Sequence, residues 1–373
     1  MAEYAVKPKF EIAIAGKNVT QDISRFLSSV EYTDKLEESS GEVQIVLDDI
    51  SGLWHSDWYP SQGDTLTLKM GYDGNMLDCG LFEIDEIELS GKPDVFTIKA
   101  IAASITQDLR TRNSKRYENQ TLKKIAQSIA DKHGLKLVGD TSQLAGIQVG
   151  SKAQNNESDL SFLAKLSKKF GIIFSVRGNQ LVFLNPEDLE KQDAILSLKE
   201  NQLSRYSFKD KTSDTFETAE VSRRDSKSNS VKKWQQKSSG DPTKKDTLVI
   251  GGRIENESQA EAASKGGLRD KNKDKLSGSF STDGNPLLVA GVNVDMQEFG
   301  AFSGKWTVKE ARHSISDNGY TTDISIVKGM RPKTVQKTSS VGSKSVDWAK
   351  GMGYTKADSA FVEFGKSKGY TKL

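Results

Sequence analysis

The stretch from Asp283 to Lys328 narrows what this chain can fold into. Val292 to Gln297 alternates apolar and polar residues. Trp306, Val308 and Ala311 follow a glycine-rich turn, and Tyr320 to Val327 alternates again after Asp317-Asn318-Gly319. Period-two alternation with one apolar face predicts three strands of an antiparallel meander or small barrel wall. At 373 residues, the chain is too long for one ordinary core, so two to four domains are expected. No run approaches the roughly 18 apolar residues of a membrane-crossing helix, and stable membrane insertion is not expected. Met1-Ala2-Glu3-Tyr4 opens no basic-then-apolar leader, so no secretory signal is expected. A lone Cys79 excludes an internal disulfide framework and fits a reducing compartment. With only His55, His133 and His313 beside it, no Cys/His zinc spacing exists.

The first region, residues 1–110, reads as a small antiparallel barrel. Phe10, Ile12 and Ile14 alternate, Gly16-Lys17-Asn18 turns the chain, and Asp22 is placed to cap a short helical turn over Ile23–Leu27. Strands are expected at Ser28–Thr33, Glu42–Leu47, Thr65–Gly71, Leu81–Leu89 and Val95–Ala100. Asp73-Gly74 marks a tight hairpin because both residues tolerate positive φ.

The pattern changes over residues 111–195. Leu122, Ile125, Ala126 and Ile129 fall at helical spacing after Asn119 or Thr121, and Gly134 stops them. Leu160, Leu163, Leu166 and Phe170 repeat the scheme before Gly171, and Ile172–Val176 and Leu181–Leu184 read as strands. Helix, glycine and strand occurring twice predict an α+β domain. Residues 196–330 return to strand patterning as a second barrel, with an inserted helix at about 255–265 that Gly266-Gly267 weakens, at about 1 kcal/mol per glycine. Residues 331–345 look like a flexible linker. The basic tail that completes 331–373 repeats Lys350–Lys356 loosely as Lys366–Lys372.

The order of several motifs resembles the phage late control protein D family, the baseplate hub proteins of contractile tails. The carriers are Asn285-Pro286, Gly300-Ala301-Phe302-Ser303-Gly304, His313 and Gly319-Tyr320-Thr321-Thr322. Pro60, Gly63-Asp64 and Gly71-Tyr72 match the first barrel, and Ser158–Leu163 through Phe170-Gly171 match the middle domain. The likeness covers about residues 5–330 and stops before the tail. Relatives carry an alanine-rich helix where this chain has Gly266-Gly267. The resemblance implies a mainly β fold with an α+β insertion: two small tail-tube-like barrels flanking a helix–strand domain. It implies a structural, non-enzymatic homotrimer that forms a pseudo-sixfold ring between a sixfold tail tube and a trimeric spike. Tape-measure and baseplate wedge proteins are further implied partners, in a particle assembled in the bacterial cytoplasm. The alternative is a tail-associated protein that binds or degrades peptidoglycan.

The search for chemistry yields no catalytic constellation. Paired carboxylates such as Asp48-Asp49 and Asp85-Glu86 lie in strands and point to opposite faces, which does not suit a glycosidase. His313 has no nucleophile elbow near it, and His55 sits between Trp54 and Trp58 as expected of loop packing. No phosphate-binding loop, dinucleotide fingerprint or metalloprotease motif occurs, so no cofactor, metal or catalytic residue is assigned. Two candidate contact segments remain. Arg223, Arg224, Lys232, Lys233 and Trp234 form a candidate basic contact loop. Its interspersed acids and the region's net charge of +3 favour protein contact over specific nucleic acid. Trp348, Tyr354, Phe361, Phe364 and Tyr370 form a candidate partner-docking tail. Charge is polarised: −11 over residues 1–110, +4 over 111–200, +3 over 201–330 and +6 over 331–373. Such a gradient suits head-to-tail matching between copies or with partners.

Overall fold

A computed structural model describes residues 7–329, apart from 38–40, 103–106, 178, 214, 226–229, 238–245 and 252–256. The first region folds as β1 (Pro8–Ile14), β2 (Lys17–Asn18), α1 (Thr20–Ser24), β3 (Leu27–Lys35), β4 (Glu42–Asp48), β5 (Thr65–Tyr72), β6 (Asn75–Ser90) and β7 (Val95–Ala102). Its alternation is realised directly: along β4, Val43, Ile45 and Leu47 are buried between less buried neighbours. Tyr72 pairs with Asn75 across the Asp73-Gly74 turn, where Gly74 has φ +78°. The short helix starts earlier than expected, at Thr20, and Asp22 lies inside its first turn rather than capping it. Leu27 has already joined β3. The Thr20 hydroxyl accepts from Ile12 N at 2.9 Å and Val19 N donates to Ile12 O at 3.0 Å. Those bonds satisfy part of an edge strand that would otherwise stay open.

The middle region runs α2 (Gln107–Arg110), β8 (Arg112–Thr121), α3 (Leu122–Lys132), β9 (Lys136–Gly139), α4 (Thr141–Gly146), β10 (Gln148–Ser158), α5 (Asp159–Lys169), β11 (Ile173–Arg177), β12 (Gln180–Leu184), α6 (Pro186–Lys191) and β13 (Ala194–Leu198). Thr121 caps α3 by accepting from Lys124 N at 3.2 Å, and Ser158 caps α5 through Ser161 N at 3.1 Å. Gly134 and Gly171 follow these helices with φ +66° and +67°, a conformation that costs glycine little. The helical stripes meet in a core of their own with Leu144, Phe174, Leu181 and Phe183.

The third region comprises β14 (Arg205–Asp210), β15 (Thr218–Asp225), β16 (Ser230–Lys237), β17 (Thr247–Ile250), α7 (Glu257–Asn272), β18 (Leu276–Asp283), β19 (Asn293–Met296), β20 (Gly304–Ser316) and β21 (Gly319–Val327). Two sequence expectations change here. Arg223 and Arg224, expected in a polar link over 222–230, lie on β15, while Lys232, Lys233 and Trp234 lie on β16, where a strand is expected at Val231–Gln236; Arg223 is opposite Lys232, Ser222 opposite Lys233 and Val221 opposite Trp234. Backbone pairing holds a polar segment extended even where side-chain alternation does not announce it. The inserted helix is also longer than 255–265, and Gly266-Gly267 sits in its interior. A Cβ on Gly266 would lie 2.7 Å from Phe170 C and 2.9 Å from Gly171 Cα. The glycine lets α7 cross the end of α5 backbone to backbone, a tertiary gain that outweighs its weak helix propensity.

One 13-stranded sheet runs β14-β18-β21-β20-β3-β4-β7-β6-β5-β1-β2, with β13 and β19 joined beside β20. The strands expected in two barrels are thus hydrogen-bonded neighbours through β3 and β20, with Val30 opposite Ile315 and Tyr32 opposite His313. A single apolar cluster takes in Val30, Ile45, Phe82 and Phe96 from the first region and Trp306, Val308 and Ile324 from the last. Between β14 and β18, strands β15–β17 form a separate sheet, whose Val221 packs with Ala260 and Ala263 of α7.

Candidate assembly site

The β3–β20 junction is built around buried polar groups. Asp34 of β3 is 2 % exposed, and its Oδ1 lies 3.0 Å from Arg177 Nη1 of β11. Its Oδ2 accepts from Ala290 N at 2.8 Å. Arg177 Nη2 also donates to Lys35 O at 3.1 Å. One carboxylate therefore ties the first region, the middle region and the loop before β19 together. A buried pair of this kind contributes registry more than net stability, yet losing one partner leaves an uncompensated charge.

His313 is fully buried on β20, not half-buried as a barrel-wall histidine would be. Its Nε2 donates to Leu288 O at 3.0 Å, so Nδ1 accepts from Tyr320 Oη at 2.8 Å. The ring stacks on Tyr32 of β3 at 6.2 Å between centroids. Burial pulls its pKa down to about 4, against smaller opposing effects of Asp34 and the Leu288 carbonyl. A neutral imidazole with both nitrogens engaged is a structural group at the seam. His133, to which the sequence assigns nothing, lies in a second network. Its Nε2 is 2.8 Å from Asp159 Oδ2, which also accepts from Lys132 at 2.7 Å, and Gln154 Nε2 reaches Oδ1 at 2.8 Å. Burial raises the Asp159 pKa, but the hydrogen bonds from Lys132, His133 and Gln154 outweigh it and hold the group at about 2.

The third histidine organises an exposed apolar loop. Asp48, the last residue of β4, is exposed, whereas Asp49, the first residue of the following loop, is fully buried. Asp49 accepts from Trp54 N at 3.0 Å and His55 N at 3.1 Å, and lies 2.6 Å from His55 Nδ1. Burial alone would raise its pKa, yet these bonds bring it below the ordinary value. The loop they hold presents Ile50, Trp58 and Tyr59, which are 80 %, 42 % and 53 % exposed. Trp58 is braced edge-on against Trp54 at 5.4 Å and Phe26 at 6.0 Å. Rigid exposed aromatics on a fixed loop are the material of interface anchors. Nearby β6 carries Asp85, Glu86 and Glu88, each more than half exposed.

The two contact segments expected from sequence fare differently. Trp234 is half-buried against Val221, Ala260 and Ala263, so its ring serves packing against α7 instead of standing out for stacking. Lys233 pairs with Glu220 at 2.8 Å. The structure places Arg223, Arg224 and Lys232 on the same hairpin. Trp348, Tyr354, Phe361, Phe364 and Tyr370 lie outside the described residues. Among the described residues no group of three His, Cys, Asp or Glu is placed to hold a metal, and no helix is long and apolar enough to cross a membrane.

Comparisons with known proteins agree with this architecture. The chain is 33 % identical over 178 residues to the probable baseplate hub protein of Escherichia phage P2, covering 48 % of this chain and 45 % of that one. It thus spans about half the length of the curated relatives it matches. The fold is similar to the 43 kDa tail protein of prophage MuSo2 from Shewanella oneidensis, with TM-score 0.64, 16 % identity, and 86 % and 98 % of the two chains covered. It is also similar to an E. coli component of the type VI secretion system, with TM-score 0.51, 11 % identity, and 89 % and 79 % covered. The family model for the phage tail baseplate hub (GPD) matches residues 95–319, from β7 into β21, and the chain therefore belongs to the phage tail baseplate hub family.

Proposed function

We propose that this protein is the structural hub of a phage tail or tail-like particle, a trimer that adapts a sixfold tail tube to a trimeric spike. The observation that carries the reading is the β3–β20 junction, which sets two groups of antiparallel strands side by side in one chain. In this reading β1–β7 form one tube-like barrel and β13, β14 and β18–β21 form another, with the middle domain between them. Three copies then present six similar units, and threefold symmetry becomes near sixfold. The first region carries −11 and the later ones +4 and +3, so alternating units would meet with opposite signs, which favours one order around a ring. The Ile50–Tyr59 loop supplies apolar anchors at such a joint. Tube, spike, tape-measure and wedge proteins are the proposed partners, met during assembly in the bacterial cytoplasm.

The test is co-expression of the chain with its spike protein, followed by mass measurement and electron microscopy of the complex. A 3:3 assembly with six similar density lobes around a central channel is expected. A stable complex of any other stoichiometry, or three lobes only, would refute the adaptor role.

A further inference from the structure

A cleft of about 700 Å³ lies where the first, middle and third regions of the chain meet. Its floor is apolar, formed by Leu36 after β3, Ile173 and Phe174 of β11, Leu189 of α6 and Leu268 of α7. Lys265, Arg269 and Lys273, at four-residue spacing along α7, pair with Glu187, Glu190 and Glu37. Even so, the walls carry eight lysine or arginine side chains against five carboxylates. A cleft of this size and lining, within the range of about 300–1,000 Å³ typical of ligand sites, suits an occupant with apolar side chains and net negative charge.

This chain contains such a segment. Val327 and Gly329 form part of the cleft wall, so the chain leaves the described fold from the cleft itself. Although residues 331–373 are basic as a whole, residues 357–364, Ala-Asp-Ser-Ala-Phe-Val-Glu-Phe, hold two carboxylates and no lysine or arginine. Phe361 and Phe364 are three apart, a spacing that puts them on one side of a helical turn. The chain from Gly329 to Asp358, behaving as a flexible linker, has a root-mean-square reach of about 30 Å. Tethering at that length gives an effective concentration on the order of millimolar. We propose that the cleft receives residues 357–364 of the same chain, with Phe361 and Phe364 on the apolar floor and Asp358 and Glu363 against the basic rim. Trp348, Tyr354 and Tyr370 are then the tail aromatics left to a partner.

The experiment uses the free full-length chain, so its outcome is separate from that of the trimer test. The photo-cross-linker p-benzoylphenylalanine is introduced at Phe361 and, as a control, at Thr338. Irradiation of mixed light- and heavy-isotope chains is followed by peptide mass spectrometry. Cross-links from position 361 to peptides containing Leu36, Leu189 or Leu268, within one isotope label, are expected, with few from position 338. Changing Asp358→Lys and Glu363→Lys leaves the folded body untouched and should lower the yield about fivefold or more, as expected of paired charges at a partly shielded rim. Cross-links joining light to heavy chains, cross-links elsewhere on the surface, no cross-links, or equal yields from 338 and 361 would each overturn the proposal.

Discussion

Replacing Gly266 by alanine should destabilise the protein, whereas the same change at Gly267 should not. Both residues lie inside α7, where alanine is favoured over glycine by about 1 kcal/mol. At 266 the added methyl would meet backbone: Phe170 C at 2.7 Å and Gly171 Cα at 2.9 Å. Backbone cannot rotate away, so α7 must shift from α5, and overpacking of this kind costs about 1–3 kcal/mol. That shift also disturbs Ala262 against the middle core and Leu268 beside the cleft. Set against the propensity gain, the net expectation is a loss of up to about 2 kcal/mol, or a fall in Tm of up to roughly 3 °C for a chain of this size. At 267 the nearest atom is Ile250 Cδ1 at 2.5 Å, the end of a side chain that can adopt another rotamer. Gly267→Ala is expected to lie within about 0.5 kcal/mol of the parent or slightly above it. Urea unfolding of both variants checks the pair. If Gly266→Ala proved as stable as Gly267→Ala, the backbone-to-backbone crossing would not be the reason for glycine.

Arg177→Met leaves Asp34 buried without its guanidinium and should cost about 3–5 kcal/mol in chemical denaturation; a loss below about 1 kcal/mol would show that the three-way tie is unimportant. Stability should also fall with acid through two windows. His313 has a folded pKa of about 4, below its ordinary value of about 6.5, so the unfolded chain binds more protons between these values. Stability then falls as pH drops from about 6.5 to 4, by about 3 kcal/mol, and His313→Asn should flatten that slope whatever its effect at pH 8. Asp159, held at about 2, stabilises the fold above its ordinary pKa and loses that contribution as pH falls from about 4 to 2, so Asp159→Asn should remove only the lower window. Ile50→Ser changes a side chain that is 80 % exposed and should leave the monomer's Tm nearly unchanged while weakening hub assembly about threefold or more; normal assembly of this variant would remove Ile50 from the proposed joint.

Most of the element types are legible in the sequence because burial period follows from backbone geometry. Val43, Ile45 and Leu47 had to share a face once strand was inferred, and Leu122, Ile125 and Ile129 once helix was. Gly134 and Gly171 announce helix ends for a similarly local reason. What alternation does not name is the partner strand. Nothing near Glu31 points to Arg312, 281 residues away, yet the two side chains pair across the seam. Buried polar groups were equally silent: Asp34, Asp159 and Arg177 look like ordinary surface charges, and burial depends on residues far along the chain. The composition around Arg223 is that of a polar link, yet the segment is a strand, because strand pairing is satisfied by the backbone.

The sequence by itself determined the mainly β character, the α+β middle region, the lack of a recognisable catalytic motif and the family, since each depends on local periodicity or on motif order. The tertiary structure alone decided that early and late strands share one sheet, that His313 is a neutral buried strut, that Trp234 is packed against α7 and that Gly266-Gly267 permits a helix crossing. These depend on which surfaces meet. Local propensity sets which face of an element seeks burial, while the element that buries it is chosen by packing among all of them.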